Sequence, residues 1–97
     1  MITLKKPLEF EWDEGNIDKN IKHKVANKEA EEIFFDRKKV IYKDTFHSKG
    51  EERLIILGKT QRGRLLYTIF TLRNTKVRII STRDINKKEV KLYEKSS

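Results

Sequence analysis

Three runs of apolar and β-branched residues dominate the second half of the chain: Leu54 to Leu57, Leu65 to Leu72 and Val77 to Ile80. Each is four to eight residues long, and turn residues separate them, Gln61-Arg62-Gly63 and then Asn74-Thr75. Such spacing predicts successive strands joined by tight hairpins. Upstream, Leu8-Glu9-Phe10-Glu11-Trp12 alternates apolar and acidic positions, as a short strand with one buried face does. Asp13 then reads as an N-cap, with Trp12 and Ile17 placed as a hydrophobic staple. Ile17, Ile21 and Val25 follow at a spacing of four, which predicts an amphipathic helix over residues 14–24. Asn27 is expected to cap a second helix. Its Glu29, Glu31 and Glu32 suit the positive end, and Arg37, Lys38 and Lys39 the negative end. The apolar set of that helix is Ala30, Ile33 and Phe34, with Phe35 at its margin. Val40-Ile41-Tyr42 begins another strand. Near the C-terminus, Asn86 and Glu89 form a capping box stapled by Ile85 and Val90, and open a helix from about Lys87 to Glu94. Lys87, Lys88, Lys91 and Lys95 face outward on it.

The predicted order is strand, two helices, four strands, one helix. The fold class is α+β: a small antiparallel sheet of four to five strands packed with two N-terminal helices and one C-terminal helix. At 97 residues the chain is expected to form a single domain over 1–97, with 1–7 frayed.

Hairpin geometry sorts the side chains by face. If the Asn74-Thr75 turn pairs Arg73 with Lys76, Thr71 opposes Arg78, Ile69 opposes Ile80 and Tyr67 opposes Thr82. Tyr67, Arg73 and Arg78 then share one face, while Leu66, Phe70, Leu72, Val77 and Ile79 form the core face. Arg83 falls formally with the core set, at a strand end where the chain can turn outward. A slip of one residue reverses these assignments. Arg53 belongs to the neighbouring strand, whose register the pattern leaves open.

Charge changes the picture. The formal net charge is +8, with 39% of residues charged. Residues 1–52 hold 11 Lys/Arg against 12 Asp/Glu, and residues 53–97 hold 12 against 3. The surplus therefore belongs to the hairpin strands and last helix, and such a field attracts polyanions. Nine aromatic residues and regular periodicity argue against disorder. No apolar run has the length of a membrane span, and no signal-peptide core is present. The absence of cysteine rules out disulfides and thiolate chemistry and suits a reducing cytoplasm. The two histidines, His23 and His47, have no ligand spacing around them, so no metal or other cofactor is expected. A lone strand arginine is ordinarily a solvated charge. Arg53, Arg73, Arg78 and Arg83 together make a surface for phosphate. His23, beside Lys22 on a helix end, reads first as a surface residue, His47 more so, and Trp12 and Tyr67 read first as packing residues.

Three stretches together resemble the BrnT toxin family. The first is Phe10-Glu11-Trp12-Asp13, Asn20, Lys22-His23 and Val25. Next come Gly50-Glu51-Glu52-Arg53 and Gly58-Lys59-Thr60. The last is Arg64 to Arg73, Val77 to Arg83, Asn86, Lys88-Glu89 and Tyr93. The resemblance runs from Phe10 to Glu94. It implies a RelE-like fold and a metal-independent ribonuclease in which the ribose 2′-OH attacks the adjacent phosphate, inhibiting translation and growth. It also implies a BrnA-type antitoxin in a 2:2 heterotetramer that reaches operator DNA only through the antitoxin, with no membrane partner. That chemistry needs proton transfer and positive charge on the transition state. Arg53, Arg73 and Arg83 are expected to bind phosphate and stabilise that state. His23 would act as acid or base with Lys22 in support, and Glu52 is a further proton acceptor. Arg78 is expected to flank the RNA, and Tyr67 to stack a base. Lys24 stands where the family usually has Gly, which predicts backbone strain if the helix ends in a left-handed residue. The alternative is a non-catalytic basic module that grips nucleic acid or an acidic protein. Acidic segments of an antitoxin would complement the basic sheet or its rim.

Overall fold

The computed structural model describes residues 2–4, 8–46 and 50–95. Five strands form one sheet: β1 (Glu9–Phe10), β2 (Val40–Lys43), β3 (Leu54–Lys59), β4 (Leu65–Arg73) and β5 (Lys76–Asp84). Their spatial order is β1-β5-β4-β3-β2. The β2 to β5 meander is antiparallel throughout, as the tight turns require. The sheet as a whole is mixed, because β1 joins the far edge parallel to β5. This corrects the expectation of a purely antiparallel sheet. The chain leaves β1 at one edge, crosses a face and enters β2 at the other.

Two α-helices form among the described residues, α1 (Asn27–Glu32) and α2 (Lys87–Lys95). The helix expected over 14–24 does not. Residues 14–20 are turns followed by a single 3-10 turn, Ile21–His23. Ile17 and Ile21 lie on the surface, Ile21 at 66% exposure, and of the three periodic residues only Val25 joins the core. Short polar side chains outcompeted the helix for the backbone. Asp13 accepts the Gly15 N–H at 2.8 Å, and Asn16 accepts that of Asp13 at 2.8 Å. Asn16 also donates to the Glu11 and Ile79 carbonyls, both at 2.9 Å, and Asn20 accepts the Thr82 N–H at 2.8 Å. Both asparagines are buried. They stand in for a strand along the β5 edge that β1 leaves uncovered, and so satisfy groups that burial would otherwise orphan.

The second helix starts one residue away from the expected cap. Ala26 is the extended cap residue, and its N–H donates to Glu29 at 3.0 Å, while Asn27 is already helical and donates to the Ile17 carbonyl. After Glu32 the chain tightens into a 3-10 turn, Ile33–Phe35, that seats Ile33 and Phe34 in the core. This turn lies directly on β3 at Gly58, where an added Cβ would stand 2.8 Å from both the Cβ and the carbonyl oxygen of Ile33. Only glycine allows that approach.

Leu66, Phe70, Val77 and Ile79 are buried as the alternation predicts, joined by an edge-on series of rings, Phe10 on Phe34 and Phe34 on Phe70. Leu72, assigned to the same face, is exposed because it sits at the hairpin end beyond the reach of the covering segments. Ile2 and Leu4 pack against this core, in place of the fraying expected there. Residues 1 and 5–7, to which the same expectation applied, lie outside the described residues. The opposite face holds a second cluster, Ile55, Leu57 and Tyr93, under α2. Asn86 and Glu89 make the expected reciprocal cap, both bonds at 2.9 Å.

Hairpin pairing follows the expected register from Arg73–Lys76 to Thr71–Arg78, and then a bulge intervenes. Beyond it Ile69 pairs with Ser81, not Ile80, and Tyr67 pairs with Arg83, not Thr82. One extra residue in β5 therefore turns Arg83 onto the face of Tyr67 and Leu57 and takes it off the core set.

Candidate functional site

The sheet face under α2 carries two arginine groups. Along β4, Thr71 and Tyr67 mark them, four residues or about 13 Å apart. The first group surrounds a pocket of about 170 Å³ lined by Arg53, Arg73, Arg78, Lys19 and Thr71. Arg78 forks onto Asp13, with both bonds at 2.8 Å, and reaches Glu11 at 3.0 Å. Arg73 grips the Glu51 carboxylate at 2.9 and 3.3 Å and touches Glu11 at 3.3 Å. Glu11 thus links two arginines in an alternating chain from Asp13 to Glu51. Gly15 leaves room for Arg78, since an added Cβ would lie 2.7 Å from its Nη2. Arg78 holds the Asp13 carboxyl below its ordinary value, and Arg73 does the same for Glu51. Both acids stay ionised, as partners that a phosphate can replace.

The second group is built around Arg83. Its guanidinium forks onto Glu89 at 2.9 and 2.8 Å, donates to the Asp84 carbonyl at 3.0 Å, and stacks 3.8 Å from the Tyr67 ring centroid. Glu89 is a buried acid, at 11% side-chain exposure, whereas Arg83 keeps 36%. Burial pushes the Glu89 carboxyl up, and the Arg83 and Asn86 donors more than reverse this, leaving it below its ordinary value. Burial raises the Tyr67 phenol and pushes Tyr42, on the neighbouring part of the face, up to about 12. Both remain neutral donors near pH 7.

Lys22 and His23 are exposed on the 3-10 turn beside the β5 edge. Neither lines the three-arginine pocket. Lys24 does end this turn left-handed, at φ 56°, so the strain expected from a non-glycine residue is present. Arg64 fixes the turn: it donates to the Lys24 and His23 carbonyls at 2.9 and 3.4 Å, and forks onto Asp84 at 2.7 and 3.2 Å. Asp84 is the common neighbour of His23 and Arg83, since the His23 side chain acts electrostatically on its carboxylate while Arg83 bonds its carbonyl. Glu52 pairs with Lys43 at 3.5 Å. His47 lies outside the described residues.

The structure therefore separates arginines that the sequence placed on a single surface: Arg53, Arg73 and Arg78 meet, and Arg83 stands apart with Tyr67. Sequence reasoning missed the carboxylates Glu11, Asp13 and Glu51, the added cation Lys19, the structural role of Arg64, and the second duty of Glu89. Only Glu89 had left a signal, its capping position. The other pairings are set across 20 to 67 positions of chain. Among the described residues no group of three or more His, Cys, Asp and Glu side chains could hold a metal ion, and no helix is long and apolar enough to cross a membrane.

Residues 12–89 match a family model described as the ribonuclease toxin, BrnT, of type II toxin–antitoxin systems. No curated protein matches the chain.

Proposed function

The chain belongs to the BrnT family of ribonuclease toxins of type II toxin–antitoxin systems, and from that premise we propose that it is a RelE-like endoribonuclease that cleaves single-stranded RNA on the sheet face under α2. The observation that carries this placement is the Arg83 cradle. A cation braced by a buried carboxylate and an aromatic ring, yet one-third exposed, is preorganised for a developing phosphorane charge. In this reading the ribose 2′-OH attacks the adjacent phosphate without a metal. Arg83 takes the transition-state charge, and His23, with Lys22 beside it, moves the proton at the β5 end. Arg53, Arg73 and Arg78 seat a neighbouring phosphate, exchanging the carboxylates of Glu51 and Glu11 for it. Tyr67 supports a base through the Arg83 plane stacked on it.

Membership in a type II family implies an antitoxin partner. We take this to be a BrnA-type protein in a 2:2 complex, which contacts operator DNA and covers the basic face with acidic segments, in the cytoplasm.

Incubation with labelled single-stranded RNA in EDTA tests the reading. Fragments ending in 2′,3′-cyclic phosphate are expected from the wild type, lost in Arg83→Ala and strongly reduced in His23→Ala. Salt-sensitive binding without cleavage would replace the enzyme by a binding module. Undiminished cleavage in His23→Ala would move proton transfer to another group.

A further inference from the structure

A second cluster of cations lies outside the face just described. A cleft of about 550 Å³ opens between the 3-10 turn Ile33–Phe35, the end of β3 and Tyr93 of α2. Phe35 lines it at 55% exposure, with Phe10 edge-on to its ring at 6.2 Å. Arg37, Lys38 and Lys59 line the same cleft.

These cations differ from the sheet arginines in one respect: among the described residues no carboxylate pairs with any of them within ion-pair distance. The two acids of the cleft are committed elsewhere. Asp36 accepts the Lys38 and Lys59 N–H groups and the Tyr93 hydroxyl, and Glu32 accepts the Gln61 N–H. An exposed ring ringed by uncompensated cations is the arrangement that holds unpaired nucleotides, a base on the ring and phosphates on the cations.

We propose that this cleft is a second seat for single-stranded RNA, in which Phe35 stacks a base and Arg37, Lys38 and Lys59 hold the phosphates beside it. The proposal rests on the ribonuclease reading for its ligand class. It would let the toxin hold a strand at a point beyond the one being cut. An acidic peptide would engage the cations equally but has no need of the ring face, so the contribution of the base separates the two.

The test is fluorescence anisotropy with a labelled 2′-O-methyl oligouridylate, which cannot undergo 2′-OH attack and so reports binding independently of cleavage. Phe35→Ala is expected to weaken binding about tenfold, and Phe35→Trp to restore it. Arg37→Gln combined with Lys38→Gln should lower the salt slope by about two. With an oligomer of the same backbone lacking bases, wild type and Phe35→Ala should bind alike. Unchanged oligouridylate affinity in Phe35→Ala and in the double variant would overturn the proposal. So would loss of polyglutamate binding alone in the double variant, which would assign the cleft to an acidic peptide. Failure of the wild type to cleave unmodified RNA would count against the ribonuclease reading and leave this binding result standing.

Discussion

The two arginine groups on the sheet face use the same ion pair to opposite ends. At the hairpin end, Arg73 and Arg78 are held by Glu51 and Asp13, whose side chains are 45% and 54% exposed. At the other end, Arg83 is held by Glu89 at 11% exposure, and a ring closes on its flat side. Exposed pairs contribute little and are screened by salt, so their carboxylates yield readily to a phosphate. A buried, doubly bonded carboxylate does not yield; it fixes the cation's position and leaves the remaining donors aimed outward. One group is therefore suited to exchange partners and the other to hold still, although residue types and bond lengths are nearly the same. Burial of the acid makes the difference.

The largest effect is expected from Glu89→Ala. It strips Arg83 of its fork and Asn86 of half its cap, and should cost about 2–3 kcal/mol in urea unfolding, less than for a fully buried pair because Arg83 is partly solvated. Cleavage should fall as far as in Arg83→Ala. Retention of full activity would break the comparison.

Acid should find the cradle next. The folded values of Glu89 and Asp36 lie below the ordinary 4.5 and 3.8, so the unfolded chain binds these protons more readily. Their contribution is complete above about pH 4.5 and is lost as pH falls through the lowered values. Urea midpoints should therefore drop below that pH, and the gap between wild type and Glu89→Gln should narrow there. A gap that holds constant into acid would show that the carboxylate charge is not what Glu89 supplies.

Gly15→Ala acts on the exchanging end. The new Cβ displaces the flexible tip of Arg78, so the denaturation midpoint should barely move while RNA affinity shifts several-fold. Smallest in stability is Glu51→Gln, which should leave the urea midpoint unchanged, raise RNA affinity and steepen its salt dependence, measured by anisotropy across a salt series. A loss of affinity in that variant would mean Glu51 organises the pocket and does not merely occupy it.

Legibility differed between the parts for identifiable reasons. The meander, its two turns and the Asn86–Glu89 cap were readable because each rests on residues within a few positions of one another. The helix expected over 14–24 failed because Ile17, Ile21 and Val25 supply a period, while Asp13, Asn16 and Asn20 supply competing bonds to the backbone and to β5. Face assignments held up to Arg78 and failed beyond it, since one bulged residue inverts everything that follows. Lys24 was foreseen as a strained left-handed residue through a missing glycine, and it is one.

By itself the sequence determined the strand and turn succession, the basic second half, and membership in a ribonuclease toxin family, because these depend on local periodicity, composition and motif order. Only the tertiary structure decided that β1 closes the far edge in parallel, that buried asparagines finish that edge, and that Arg83 parts company with Arg73 and Arg78. Those outcomes depend on which backbone groups and carboxylates meet across long stretches of chain, and on how deeply each is buried. A one-dimensional pattern carries neither quantity.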